Sequence, residues 1–128
     1  MANSINLSDG EWKLMNLLWE ESPRTVSQMT EELREDTGWD KATVLVMLRR
    51  MEKKGAVRVE QPGRCKQYYP CVEREGAAAA ETVDFLHRVY GGSIGLLVSS
   101  MATQRALSKK EIDELYEILE KAEREAEK

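Results

Sequence analysis

The side chains with the most chemical potential in this 128-residue chain are cationic, and they lie together. Between residues 41 and 66 stand Lys41, Arg49, Arg50, Lys53, Lys54, Arg58, Arg64 and Lys66, against only Glu52 and Glu60, a local balance of +6. Residues 1–40 carry three basic and nine acidic groups, and residues 73–128 eight basic and twelve acidic, so the overall charge of −4 conceals this window. Such a concentration is the electrostatic footprint of a polyanion-binding surface, although the same count also describes a solvated helix and loop. Guanidinium groups can pair bidentately with guanine O6 and N7, and flexible ammonium groups suit phosphate oxygens. The chemistry on offer is recognition of nucleic acid.

Bond-making chemistry has little material. The single histidine, His87, leaves no raw material for a His-based triad or a metal site and is expected to be a packed or capping residue. Gly91-Gly92-Ser93-Ile94-Gly95 lacks the preceding strand and the following Lys-Ser/Thr of a phosphate loop, so a hinge or cap is expected. Cys65 and Cys71 lack Cys-x-x-Cys spacing; on one strand they would stand about 20 Å apart, too far for a disulfide or a shared metal. A turn at Pro70 would shorten that distance and leave a redox role open. No enzyme activity, cofactor or metal is expected. No apolar run approaches the ~20 residues that span a bilayer, and the N-terminus lacks the regions of a signal peptide, so the expectation is a cytoplasmic protein without a membrane partner.

The elements that must position the cations are legible from their boundaries. Ser8-x-x-Glu11, Thr25-x-x-Gln28 and Ser108-x-x-Glu111 are capping boxes and mark three helix starts. The first helix, about residues 9–21, spaces Trp12, Met15, Leu18 and Trp19 along one side and stops before Pro23. The second runs from Val26 to about Thr37, with Met29 and Leu33 inward and Gly38 as a left-handed cap. Asp40 then caps a third helix, Lys41 to Lys54, which Gly55 ends. Two helices across a short glycine-containing turn make a helix-turn-helix.

Beyond Gly55 the period becomes two, with Val57 and Val59 alternating with Arg58 and Glu60, then Pro62-Gly63, then Cys65, Gln67 and Tyr69 alternating with Lys66 and Tyr68. That is a basic β-hairpin, and after a helix-turn-helix it makes a winged helix. The expected fold is therefore mainly α with a small β-hairpin: a winged helix-turn-helix over residues 1–72 and a helical region over 73–128. In the latter, a helix from Glu73 ends at Gly91-Gly92, a short apolar segment covers Ile94 to Met101, and a last helix runs from Lys109 to about Glu127. Ile112, Leu115, Leu119, Ala122 and Ala126 recur at spacings of 3 and 4, the seam of a helix packing on another helix. With Leu86, Ile94 and Leu97, the first three of these residues form the candidate dimerisation surface. Folding onto the winged helix is the alternative to pairing with a second copy.

On the third helix Val44, Met47, Leu48 and Met51 share one side, which leaves Ala42, Thr43, Val46, Arg49, Arg50 and Lys53 on the other. Arg49 or Arg50 is a candidate for guanine, Thr43 for a base edge or phosphate, and Ala42 and Val46 for thymine methyl groups. Lys53, Lys54, Arg64 and Lys66 are candidates for phosphate. A sequence-specific repressor binding a palindromic operator as a homodimer is the leading function; a winged helix that captures a protein through its acidic first two helices is the alternative.

Several runs carry a likeness: Glu11 through Trp19, Gly38-Trp39-Asp40-Lys41-Ala42-Thr43-Val44, Arg50-Met51-Glu52-Lys53-Lys54-Gly55-Ala56 and Tyr68-Tyr69-Pro70. In them the chain resembles the BlaI/MecI/CopY family of bacterial repressors. Phe85-Leu86 through Gly91-Gly92-Ser93 and Leu107 through Leu115 are similar to the dimerisation region of its penicillinase-repressor branch. The resemblance implies a homodimer whose winged helices grip a duplex operator and block transcription of antibiotic-resistance or metal-homeostasis genes. It also implies a regulatory protease as partner, which in β-lactam-responsive members cuts an Asn-Phe bond; Ser100-Met101 stands there in this chain. Family members often carry Lys at the position of Ala42 and Thr at that of Val46, whereas Thr43 and Arg50 agree with the pattern. Copper-responsive members end in Cys-x-Cys motifs, and no cysteine follows Cys71.

Overall fold

A computed structural model describes residues 5–105 and 107–127. In chain order the elements are α1 (Asp9–Glu20), α2 (Val26–Glu32), α3 (Arg34–Thr37), α4 (Lys41–Lys54), β1 (Val57–Glu60), β2 (Gln67–Pro70), α5 (Arg74–Tyr90), α6 (Ile94–Arg105) and α7 (Lys109–Ala126). The expected class is borne out: a mainly helical chain with one two-stranded antiparallel sheet. Two compact units divide at Thr82/Val83. Among the described residues, no helix is long and apolar enough to cross a membrane.

Local chemistry accounts for the boundaries. All three capping boxes form, with the side chains of Ser8, Thr25 and Ser108 each accepting from the amide three residues on. Asp40 caps α4 by accepting from the Thr43 amide at 2.9 Å. Gly38 and Gly55 end α3 and α4 at φ 71° and 86°, a region that penalises any side chain. The expected second helix is divided at Leu33, whose φ −98° and ψ 3° leave the helical region. There the Thr37 hydroxyl donates back to the Leu33 carbonyl at 2.9 Å, a bond that bends helices, and Leu33 turns into the core.

The first unit has one core. Leu14, Met15 and Leu18 of α1, Met29 of α2, Val44, Leu48 and Met51 of α4, and Val57 and Tyr68 of the hairpin are its most deeply buried members. Full burial of an aliphatic side chain of this size is worth about 1.5–3 kcal/mol. The α1 stripe differs from the expected one: Glu11 and Leu14 are buried with Met15 and Leu18, while Trp12 and Trp19 sit half-buried beside them as a tilted pair 5.7 Å apart. Trp19 Nε1 donates to the Val72 carbonyl at 2.9 Å and so ties the chain after β2 to α1.

Strand β1 pairs with β2 in the register Val57↔Pro70, Val59↔Tyr68, which places Tyr68 inward and Tyr69 outward. Arg24 adds a bridge on the other side of β2, since the Tyr68 amide donates to its carbonyl at 2.9 Å. The Arg24 backbone thus adds a third segment beside the two strands of the hairpin.

In the second unit the expected apolar segment at Ile94 to Met101 is the helix α6. The Ser93 hydroxyl accepts from the Leu96 amide at 3.1 Å and starts it. Gly91 and Gly92 both have positive φ and end α5, with His87 packed against Gly92, as the cap expectation required. No residue of α5 or α7 is buried.

Candidate nucleic-acid interface

Helix α4 owes its two faces to its spacing of apolar residues. Val44, Met47, Leu48 and Met51 are buried, so every residue on the opposite side is directed to solvent. Ala42, Thr43, Val46, Arg49, Arg50 and Lys53 are all exposed, Val46 by 51%. An exposed valine amid cations on an outward helix face has no role in the core. The Thr43 amide and side chain both hydrogen-bond the Asp40 carboxylate, which holds its pKa below the ordinary aspartate range.

Up to residue 66 the cations are either paired with a carboxylate or unpaired. Lys13 pairs with Asp36 at 2.7 Å, Arg24 with Glu20 at 3.1 Å and Arg34 with Glu31 at 2.7 Å, so the positive charges of the first two helical segments are neutralised by neighbours. Lys41, Arg49, Arg50, Lys53, Arg64 and Lys66 are exposed, and their charged ends make no ion pair or hydrogen bond among the described residues. Lys41, exposed and unpaired in the first turn of α4, belongs to the same set. Arg58 on the hairpin is occupied: its guanidinium pairs with Glu60 and stacks 4.0 Å above the Tyr69 ring.

Lys54, expected as a phosphate contact, is occupied by the protein itself. Its ammonium turns back to the body of the protein, donating to Glu11 Oε1 at 2.5 Å and to the Asn6 carbonyl at 2.7 Å. Glu11 is 1% exposed, and a carboxylate so removed from water demands a counter-charge more strongly than solvent-borne phosphate does. Burial raises the Glu11 pKa, but the hydrogen bonds from Lys54 and Ser8 and the charges of Lys54 and Arg50 outweigh it and hold it below the ordinary range.

Both cysteines are free and exposed. Cys65 precedes β2 and Cys71 follows it, and Pro70 continues the strand, so no turn there brings the thiols together. Among the described residues no cluster of His, Cys, Asp and Glu suits a metal ion.

The candidate dimerisation residues lie on three helices: Leu86 on α5, Ile94 and Leu97 on α6, and Ile112, Leu115 and Leu119 on α7. Leu86, Leu97 and Leu115 are half-buried, whereas Ile94 and Leu119 are 66% and 62% exposed and Ile112 is also exposed. A groove of about 400 Å³ runs between α6 and α7, lined by Leu97, Val98, Met101, Leu115 and Ile118 among others.

The sequence pattern of the penicillinase repressors matches residues 7–121. The chain belongs to the penicillinase repressor family. A penicillinase repressor of Bacillus licheniformis is 32% identical over 120 residues, 94% of each chain. The methicillin resistance regulatory protein MecI of Staphylococcus aureus is 30% identical over 118 residues, 92% of this chain and 96% of its own. Among solved structures of the family, the DNA binding domain of the repressor BlaI matches with a TM-score of 0.51 and 30% identity, over 58% of this chain and 90% of that domain. The Bacillus licheniformis BlaI monomeric form in complex with the blaP half-operator matches with a TM-score of 0.51 and 29% identity, over 59% and 92%.

Proposed function

We propose that this penicillinase repressor family member binds an operator duplex as a homodimer, laying the outward face of α4 in the major groove and the hairpin along the phosphate backbone. The observation that carries the reading is the separation of the cations. Apart from Lys54, those on α4 and at the hairpin tip are exposed and unpaired, while those of the acidic first segment are consumed by carboxylates. Arg49 and Arg50 read guanine, Thr43 a base edge or phosphate, and Ala42 and Val46 thymine methyl groups. Lys41, Lys53, Arg64 and Lys66 hold phosphates and fix the register. The BlaI monomeric form bound to the blaP half-operator supports this docking, because it shares the fold at 29% identity. The protein acts by occupying DNA, without catalysis, in the cytoplasm where the operator is.

The exposed apolar surface of the second unit supports the homodimer. Ile94, Leu96, Tyr116, Ile118 and Leu119 are each more than half exposed, a density of apolar surface that isolated soluble chains avoid. A second copy covers it and supplies the two-fold symmetry that a palindrome requires. A regulatory protease aimed at Ser100–Met101 would first have to unwind α6, which holds that peptide bond in its interior.

Selection from a random duplex pool tests the function. A repressor enriches a palindromic sequence, and its affinity falls with salt with a slope of about 0.9 per phosphate neutralised. A pool that shows no enrichment, with affinity indifferent to salt, would favour protein capture by the acidic first segment.

A further inference from the structure

The first turn of α1 holds α4 at two points. A Cβ on Gly10 would lie 2.5 Å from Met47 Cε and 3.0 Å from the Trp39 ring, so glycine admits α4 and the tryptophan preceding it to close range. The next residue, Glu11, accepts from the Ser8 amide at 3.0 Å and from Lys54 Nζ at 2.5 Å. Lys54 is the last residue of α4 and lies 43 positions from Glu11 in sequence, so the pair joins the end of the recognition helix to a distant helix start. Its second bond, to the Asn6 carbonyl, adds the segment before α1 to the same junction. Arg50 stands one turn back on α4 and Lys53 directly before Lys54, both exposed, as is Arg49.

We infer that the Glu11–Lys54 pair is a positioning latch: it fixes the tilt of α4, so that Lys54 governs operator discrimination without touching DNA. The inference rests on the DNA-binding reading above. A binding constellation must be held to within about 0.5 Å and 10–20° of its productive geometry, which makes the support at the C-terminal end of α4 part of the readout. The ion pair supplies direction where packing supplies only attraction. A phosphate ligand at this position would contribute to counterion release; a latch does not.

The test compares Lys53→Met, Lys54→Met and Lys54→Arg in the full chain, at temperatures where circular dichroism shows each folded. Affinity is measured for the selected operator and for random duplex across a salt series. Lys53→Met is expected to lower the salt slope by about 0.9 and to weaken both duplexes alike. Lys54→Met is expected to keep the unmodified slope while the ratio of operator to random affinity falls about tenfold, and Lys54→Arg to restore most of the ratio. Should Lys54→Met fail to fold because Glu11 is left unpaired, the double variant Glu11→Gln, Lys54→Met removes both charges and is expected to show the same fall in ratio. A reduced slope in Lys54→Met would make the residue a phosphate contact, and an unchanged ratio in a folded variant would reduce the pair to a stability feature; either overturns the latch alone. An unmodified chain that binds no duplex overturns the DNA reading and the latch together.

Discussion

Arg24 and Tyr68 exchange both backbone hydrogen bonds, at 2.9 and 3.3 Å, which docks the hairpin on the segment that opens α2. The bridge ties the hairpin to the helix-turn-helix. Its side-chain counterpart is the burial of the Tyr68 ring, 2% exposed. Tyr68→Ala is expected to cost about 3 kcal/mol of stability in urea unfolding, as an aromatic truncated in a core does. Tyr69→Ala loses only the stacking of Arg58 and is expected to cost about 1 kcal/mol or less. Equal losses for the two variants would contradict the inward position of Tyr68.

Base reading and phosphate holding separate by their effect on sequence preference. Arg50→Ala is expected to relax discrimination at one operator position by about 1–3 kcal/mol, and Lys66→Ala to weaken all duplexes similarly. Competition binding with single-position operator variants measures both. Identical losses on operator and random duplex for Arg50→Ala would remove it from the readout.

For the dimer, Leu115→Glu combined with Leu119→Glu places two charges on the α7 seam, where Leu119 is already 62% exposed and Leu115 is half-buried. Sedimentation is expected to show monomers, with operator affinity reduced at least a hundredfold because each half-site then binds alone. A dimer that persists would move the interface off α7.

The lowered pKa of Glu11 makes stability depend on acid. A carboxylate whose folded pKa lies below its unfolded value of about 4.3 contributes stability above that pH, and the contribution is lost as pH falls through the folded value. The thermal midpoint of the unmodified chain is expected to fall between pH 5 and 3 more steeply than that of Glu11→Gln. Parallel pH profiles would show that Lys54 leaves the Glu11 titration unchanged.

Local chemistry was legible in the sequence, and pairing at a distance was not. Ser8, Thr25 and Ser108 announced their helices because a capping box needs only four consecutive residues, and the faces of α4 followed from Val44, Met47, Leu48 and Met51. The identity of the inward tyrosine was hidden, since Tyr68 and Tyr69 are adjacent and a strand of four residues offers too little alternation to choose. The division at Leu33 and the bridge of Arg24 to β2 depend on tertiary contacts. So does the occupation of Lys54: among eight cations in a window, nothing local distinguishes the one whose carboxylate partner lies 43 residues away. Helix α6 was concealed because Leu96, Leu97 and Val98 are consecutive and leave no helical period to detect.

Amide chemical-shift mapping of the full chain with the selected operator duplex tests the central claim most directly. Perturbations are expected to concentrate on Lys41–Lys53 of α4 and on Arg64–Lys66 of the hairpin, with the acidic outer faces of α1 and α2 silent. Perturbations confined to α1 and α2, or none at saturating duplex, would contradict the account.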